Sequence, residues 1–396
     1  MDGTHHPDFS DVAATFAQQV KRTDGGAALA IRHRGEVVVD LWGGERNDDG
    51  DPWESDTLAM CFSTTKGIAS LALHLQVEAG LLNYDDKVAK HWPEFAQNGK
   101  GNVTVRHVLS HSSGLHRLRT VIDDATEMLD WDHMVDALAR QPPAYKPGTK
   151  TGYHALTYGW LAGELVRRAT GRELADVVEN DIAVPLGLNG LYLGCPPDQR
   201  HRVAPLKHLG SVLSRGPAPV RQLRRLVVGG VNAALSLTRS PLNTRRMINA
   251  LLPRGMEDVL VSPAIMDASI PAVNGFLSAR SLATMYAVLA GGGEVNGVRL
   301  LSPEIIGEIG EQQNNRRDLV LVVPMRWRLG YHRVLGTGRT GGEAFGHYGF
   351  GGSGAWADPS RNLSMAMTCN RGGGTPVGDA RIIALSRGAM EAADNR

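Results

Sequence analysis

Three cysteines in 396 residues, Cys61, Cys195 and Cys369, lie far apart and form no C-x-x-C pair. That argues against a disulfide framework and against a cysteine-held zinc site. Aromatic residues make up only 6%, and neither charge sign dominates: 42 Lys and Arg stand against 41 Asp and Glu, a formal net charge of +1. Such a chain has no electrostatic footprint for nucleic acid. The local basic groups Arg221, Arg224, Arg225 and Arg245, Arg246 read as a solvated helix face. No unbroken apolar run reaches membrane-spanning length. The first residues, Met1-Asp2-Gly3-Thr4-His5-His6-Pro7, contain no apolar h-region,. The expectation is a cytoplasmic protein with no stable membrane insertion.

What is present is a core. Apolar residues reach 42%, and the length allows two or three domains' worth of chain. Phe9 to Lys21 reads as an amphipathic helix. Ala27–His33 and Glu36–Trp42 read as strands joined by an Arg34-Gly35 turn,. Helical patterns dominate from Ser63 to about residue 190, with Gly80 and Gly171 as helix ends. Ser278 to Leu289 predicts a further helix. Strands are expected at Arg326–Tyr331, at Gly354–Ala357, and at Leu363–Asn370, where apolar and polar or small residues alternate,. Strands at both ends with helices between predict an α/β fold of the α+β kind: an antiparallel sheet flanked by helices, plus a mostly helical lobe. The sheet domain would take residues 1–60 and 271–396, and the helical domain 61–270. Residues 208–270 read as a cap, with a plain surface excursion or a membrane-surface segment as alternatives.

The stretch Met60-Cys61-Phe62-Ser63-Thr64-Thr65-Lys66-Gly67 carries the first chemistry. Serine needs a neighbouring base to act as a nucleophile. Residues three apart share a helix face, so Lys66 would lie beside Ser63. Ser63 would also sit at a helix N-terminus, where free N–H groups favour a developing anion. The helix that follows is apolar nearly all round, so Lys66 would be buried and costly to charge. A Ser/Thr N-cap followed by a solvated lysine would spell the same letters.

Two more elements could complete a site. Tyr153 lies where the turn residues Pro147-Gly148-Thr149-Lys150-Thr151-Gly152 lead into a helix, a placement that can aim a phenol into a cleft. His107, His111 and His154 are alternative bases, although no G-x-S-x-G elbow occurs. His347-Tyr348-Gly349-Phe350-Gly351-Gly352-Ser353-Gly354 matches G-x-G-x-x-G from Gly349, as does Gly336 to Gly341. Neither run sits in a parallel βαβ unit, so a dinucleotide fingerprint is not indicated. A sheet edge kept bare for a substrate carbonyl fits the first run better.

Together these elements resemble the serine β-lactamase and penicillin-binding-protein superfamily, and within it the class C-like esterases, the family VIII carboxylesterases. That family has S-x-x-K, a tyrosine motif and a K-T-G-like strand that is often H-x-G or W-G-G. Trp42-Gly43-Gly44, Gly80-Leu81-Leu82-Asn83-Tyr84-Asp85-Asp86-Lys87-Val88, Thr104-Val105-Arg106-His107-Val108-Leu109-Ser110-His111-Ser112-Ser113-Gly114-Leu115 and Ala357-Asp358-Pro359 extend the likeness over most of the chain outside 208–270. The resemblance implies a β-lactamase/transpeptidase-like fold, with Ser63 as the acylated nucleophile and Lys66 and Tyr153 sharing acid–base work. Which of the two takes the serine proton stays open. Burial and a cationic neighbour are expected to lower the pKa of both. The backbone N–H groups of Ser63 and Phe350 would form the oxyanion hole. His347, Tyr348 and Gly349 would line the substrate edge. No metal or other cofactor is implied.

Two departures bear on the substrate. Ala155 stands where the β-lactamases and peptidases have Asn, and His347 replaces the lysine of the third motif. Both changes remove grip on a substrate carboxylate, since histidine is mostly neutral at pH 7. The reading is a serine carboxylesterase for short- to medium-chain acyl esters, its partner a small-molecule ester. The alternatives are a β-lactamase or D-amino peptidase, an acyltransferase, or a catalytically silent binding protein. Homo-oligomerisation is left open.

Overall fold

The computed structural model describes residues 1–207, 253–334, 337, 342–371, 375 and 378–396. Thirteen strands are described: β1 (Asp2–His5), β2 (Gly26–His33), β3 (Glu36–Gly44), β4 (Leu58–Met60), β5 (Leu191–Leu193), β6 (Val203–Ala204), β7 (Gly275–Leu277), β8 (Glu294–Val295), β9 (Val298–Arg299), β10 (His332–Arg333), β11 (Phe345–Tyr348), β12 (Gly354–Asp358) and β13 (Leu363–Cys369). The predicted hairpin is β2–β3. Arg34 and Gly35 turn it with φ of 52° and 82°, a left-handed pair that permits a tight reversal,.

Seven strands form one antiparallel sheet in the order β1-β3-β2-β13-β12-β11-β10. The pairing of β13 with β2, Met365 opposite Ile31, joins the two ends of the chain. This is the mixed α/β class with an antiparallel sheet that the sequence predicts. The alternation in β13 marks no wet face, because the whole strand is buried. Leu363, Met365, Met367 and Cys369 join an apolar cluster with Phe16, Ile382 and Leu385, from the flanking helices Ser10–Lys21 and Ala380–Asn395. On the opposite face Ser364 Oγ donates to the Ala283 carbonyl of the helix Ala279–Ala290 at 2.8 Å. A buried hydroxyl is stable there only because it is bonded.

Within the stretch where helical patterns dominate, helices form at Trp131–Arg140 and Thr157–Thr170, the second ending at the expected Gly171 with φ 70°. A smaller sheet, β5-β7-β4-β6, lies between these helices and the large sheet in chain order, and β4 delivers the chain to Ser63. One apolar cluster runs from Ala30 and Ala366 to Leu138 and Val177. We therefore propose the division at residues 60 and 270 as a description of the chain's course around a shared core. Among the described residues no helix is long and apolar enough to cross a membrane.

One expected strand is absent. Arg326–Tyr331 does not extend, because Arg326 and Gly330 take φ of 51° and 82°. The Arg328 N–H instead turns back to the Tyr331 carbonyl at 2.8 Å, and the Gly330 N–H donates to Leu109 at 3.0 Å. The cap reading falls largely outside the described residues. Of 208–270, only 253–270 is described, with short helices at Met256–Val261 and Ala264–Asp267. Most of the Gly336–Gly341 run also lies outside them.

Candidate active site

β4 ends at Met60, and the chain then makes a single 3₁₀ turn, Phe62–Thr65, before the helix Lys66–Glu78. Phe62 takes φ 46°, a left-handed conformation that costs a non-glycine residue about 1 kcal/mol or more,. The turn is stitched down on both sides. The Cys61 N–H donates to the Gly275 carbonyl at 2.9 Å, and Thr65 Oγ1 accepts the Gly275 N–H at 3.0 Å. In a 3₁₀ turn, side chains three apart eclipse each other. Lys66 accordingly lies over Ser63, with Nζ 2.9 Å from Oγ.

Tyr153 reaches the same oxygen from a separate stretch of chain. Its phenol donates to Ser63 Oγ at 2.7 Å. Lys66 Nζ also donates to the Ala272 carbonyl at 3.1 Å and lies 5.1 Å from the centre of the Tyr153 ring. Lys66 and Tyr153 are both buried, whereas Ser63 is partly exposed and approachable. Burial holds the lysine amine well below its ordinary pKa and pushes the phenol up. The expectation that both fall is thus corrected. Low polarity favours the neutral form of each group, and the two neutral forms lie on opposite sides of the titration. A neutral amine with one N–H on Ala272 has a lone pair free for the serine proton.

The alternative histidines are not on Ser63. His107 closes a capping box with Thr104. His154 Nε2 pairs with Ser113 Oγ at 2.7 Å and accepts the Leu115 N–H, while its Nδ1 faces His111 at 3.3 Å. Burial lowers the pKa of both His111 and His154, which keeps them neutral.

The third element packs against the serine turn. Phe350 meets Phe62 edge to face, with ring centres 5.6 Å apart. Among the described residues, neither the Ser63 nor the Phe350 N–H has a backbone acceptor. Gly349 is bare for a packing reason as well. A Cβ there would lie 2.4 Å from the Cys61 carbonyl oxygen and 2.9 Å from Thr64 Oγ1, so glycine is what lets this strand lie flush on the serine turn,. Gly351 and Gly352, at φ 92° and 104°, carry the reversal into β12.

Strand alternation divides His347 from Tyr348. The His347 ring is buried on the Tyr153 side, 6.2 Å away between ring centres, with Nδ1 on the Tyr348 carbonyl at 3.1 Å. Burial, with His332 and Lys66 nearby, holds its pKa well below the ordinary value, so it is neutral. The Tyr348 side chain points to the other face, where its hydroxyl meets Ser386 Oγ at 3.3 Å. Any substrate-lining role for Tyr348 is therefore left to its main chain.

The sequence pattern of the beta-lactamase family matches residues 12–388. The chain belongs to that family. An esterase/beta-lactamase of Mycobacterium tuberculosis, LipL, is 36% identical over 378 residues, which are 93% of this chain and 82% of the relative. Among solved structures, a family VIII carboxylesterase shares 33% identity with a TM-score of 0.83, covering 99% of both chains. A penicillin-binding protein homolog from Caulobacter crescentus shares 34% with a TM-score of 0.84, again over 99% of both.

Two residues of this beta-lactamase-family chain that the sequence does not single out stand behind Tyr153. Trp327 stacks on its ring, and Asp318 accepts its backbone N–H. Asp318 follows Arg316 and Arg317 in the sequence and belongs to no motif singled out there; Trp327 lies in the stretch expected to be a strand. Among the described residues no cluster of three or more His, Cys, Asp or Glu could hold a metal ion. A cavity of about 500 Å³ lined by Arg326, Arg328, Arg333, Glu343 and Phe345 includes none of the Ser63 group.

Proposed function

We propose that this chain is a serine carboxylesterase that cleaves short- to medium-chain acyl esters through an acyl-enzyme on Ser63. The observation that carries it is the convergence of the Lys66 amine and the Tyr153 phenol on one partly exposed serine oxygen, at 2.9 and 2.7 Å. Lys66, its pKa lowered by burial, takes the Ser63 proton in its neutral form as Oγ attacks the ester carbonyl carbon. The N–H groups of Ser63 and Phe350 receive the oxyanion. As the intermediate collapses, the C–O bond to the alcohol breaks. Tyr153 donates its proton to the departing alkoxide and recovers one from Lys66. Water then attacks the acyl-enzyme by the same steps in reverse, releasing the acid and restoring Ser63.

The residues near this group favour an ester over a substrate carrying a carboxylate. Ala155 offers no side-chain amide, and the buried, neutral His347 offers no permanent cation. A β-lactamase reading draws on the family match itself and on the double name of the mycobacterial relative. The test is direct. Purified protein offered p-nitrophenyl acetate, butyrate and longer esters beside nitrocefin should turn over the esters at least about 100-fold faster, since each lost charged contact removes about 1.5–3 kcal/mol. Dominant nitrocefin turnover would overturn the assignment.

The close seating of Gly349 on the serine turn gives a second expectation. In Gly349→Ala the new methyl must part Phe350 from Ser63. Overpacking of this kind costs about 1–3 kcal/mol of stability. A displaced oxyanion donor costs about 100-fold in kcat. Urea melts and steady-state kinetics measure the two effects; wild-type kcat in this variant would remove Phe350 from the oxyanion hole.

A further inference from the structure

Asp318 is a buried carboxyl, 1% exposed, whose four partners are all neutral N–H groups. Oδ1 accepts from the backbone of Tyr153 at 3.1 Å, Val320 at 2.8 Å and Leu321 at 3.0 Å. Oδ2 accepts the Trp327 indole N–H at 3.2 Å. An acceptor-only group is what an ionised carboxylate presents, although burial pushes its pKa up against these bonds. The two halves of this carboxyl therefore hold two parts of one assembly. The Tyr153 ring lies stacked on Trp327, with centres 5.7 Å apart and planes 10° apart. His111 closes the edge of the Tyr153 ring at 5.1 Å and packs on Trp327 at 4.1 Å. The Leu319 N–H to the Thr151 carbonyl, at 2.9 Å, ties the same two segments together once more. The phenol at the far end of this stack is the one that meets Ser63 Oγ.

Burying a carboxyl is costly, and apolar residues of similar volume often serve stability as well or better. A carboxyl that grips both the main chain of Tyr153 and the ring Tyr153 leans on does something an apolar residue would not: it fixes the direction of the phenol. We propose that Asp318 is a positioning residue for ester turnover, acting through Tyr153 with Trp327 as the intermediate. This rests on the reading of Tyr153 as a catalytic group. Misplacing a catalytic group by about 1 Å can cost on the order of 100-fold in rate. Asp318→Asn keeps the size and one carbonyl oxygen but turns an NH₂ toward the Trp327 N–H, so donor faces donor.

The test is a double-mutant cycle on kcat and KM with p-nitrophenyl butyrate. Asp318→Asn is expected to lower kcat about 10- to 100-fold with KM within about 2-fold. In a Tyr153→Phe background, the same change should cost less than about 2-fold, because the group it positions is already gone. Multiplying losses, or wild-type kcat in folded Asp318→Asn, would overturn the positioning role while leaving Tyr153 in place. Wild-type kcat in Tyr153→Phe alone would remove the catalytic reading of Tyr153 and this proposal with it. If Asp318→Asn loses its cooperative thermal melt, Trp327→Phe reads the same link. It keeps a ring to stack on but no N–H, and its loss in kcat should likewise vanish in the Tyr153→Phe background; if that loss persists there, the proposal falls.

Discussion

Ser63→Ala should reduce ester turnover by about 10⁴-fold or more and abolish covalent labelling by a fluorophosphonate probe, with the fold retained. The loss is large because members of a nucleophile–base unit act together, and removing the nucleophile alone forfeits nearly the whole covalent route. What remains is the oxyanion hole and substrate binding acting on water. Only Oγ is lost, so Lys66 keeps its bond to the Ala272 carbonyl at 3.1 Å. The Tyr153 phenol loses its partner, a change worth about 1–3 kcal/mol if water does not replace it. A melting curve close to wild type would thus accompany a dead enzyme. The molecule also offers a rival pair for the result to judge. Ser113 Oγ and His154 Nε2 are 2.7 Å apart, a nucleophile and base by inventory. Both are fully buried, and the imidazole nitrogen is already engaged by the Leu115 N–H. Turnover surviving in Ser63→Ala would move the chemistry to that pair.

The reason Ser63 and Lys66 could be read from the sequence is geometric. A spacing of three brings two side chains together in an α-helix and more closely still in a 3₁₀ turn, so the pairing survives the change of helix type at Thr65–Lys66. Tyr153 was a candidate from the turn that leads into a helix, and only the family resemblance gave it a role; the hairpin was legible because Arg34-Gly35 is a turn in its own right. What was hidden depended on the rest of the molecule. The strand expected at Arg326–Tyr331 fails because Arg326 and Gly330 adopt left-handed φ, which tertiary contacts impose. Asp318 stands beside Arg316 and Arg317 in a run that carries no motif, and only the fold reveals it as buried. Tyr348 lies next to His347 in sequence but on the other side of the sheet. The separate pKa directions of Lys66 and Tyr153 follow from burial, a quantity the sequence supplies only through the surrounding apolar pattern.

Lys66→Met is the second large expectation, and it separates the two groups that meet Ser63. The substitution keeps an unbranched chain at a buried helix start but removes the lone pair. About a 10³-fold fall in kcat is expected, with KM within a few-fold, since general-base work contributes on the order of 10²–10⁴. Stability should hold or rise, because a buried amine is replaced by an apolar group of similar volume. The pH profile tests the assignment further. A base works when deprotonated, so log(kcat/KM) of the wild type should climb with unit slope and level off at the Lys66 pKa. An ordinary lysine would place that bend near ~10.4; burial moves it to lower pH. A general acid works when protonated, so a fall sets in only as Tyr153 ionises. Burial moves that fall above the ordinary ~10 of a tyrosine,. The two shifts run in opposite directions and open a plateau between them, wide where unperturbed groups would leave none. In Lys66→Met the rising limb should disappear along with most of the rate. A rising limb that survives in Lys66→Met would assign the base to another group, and a wild-type decline setting in below pH ~10 would take the acid role from Tyr153.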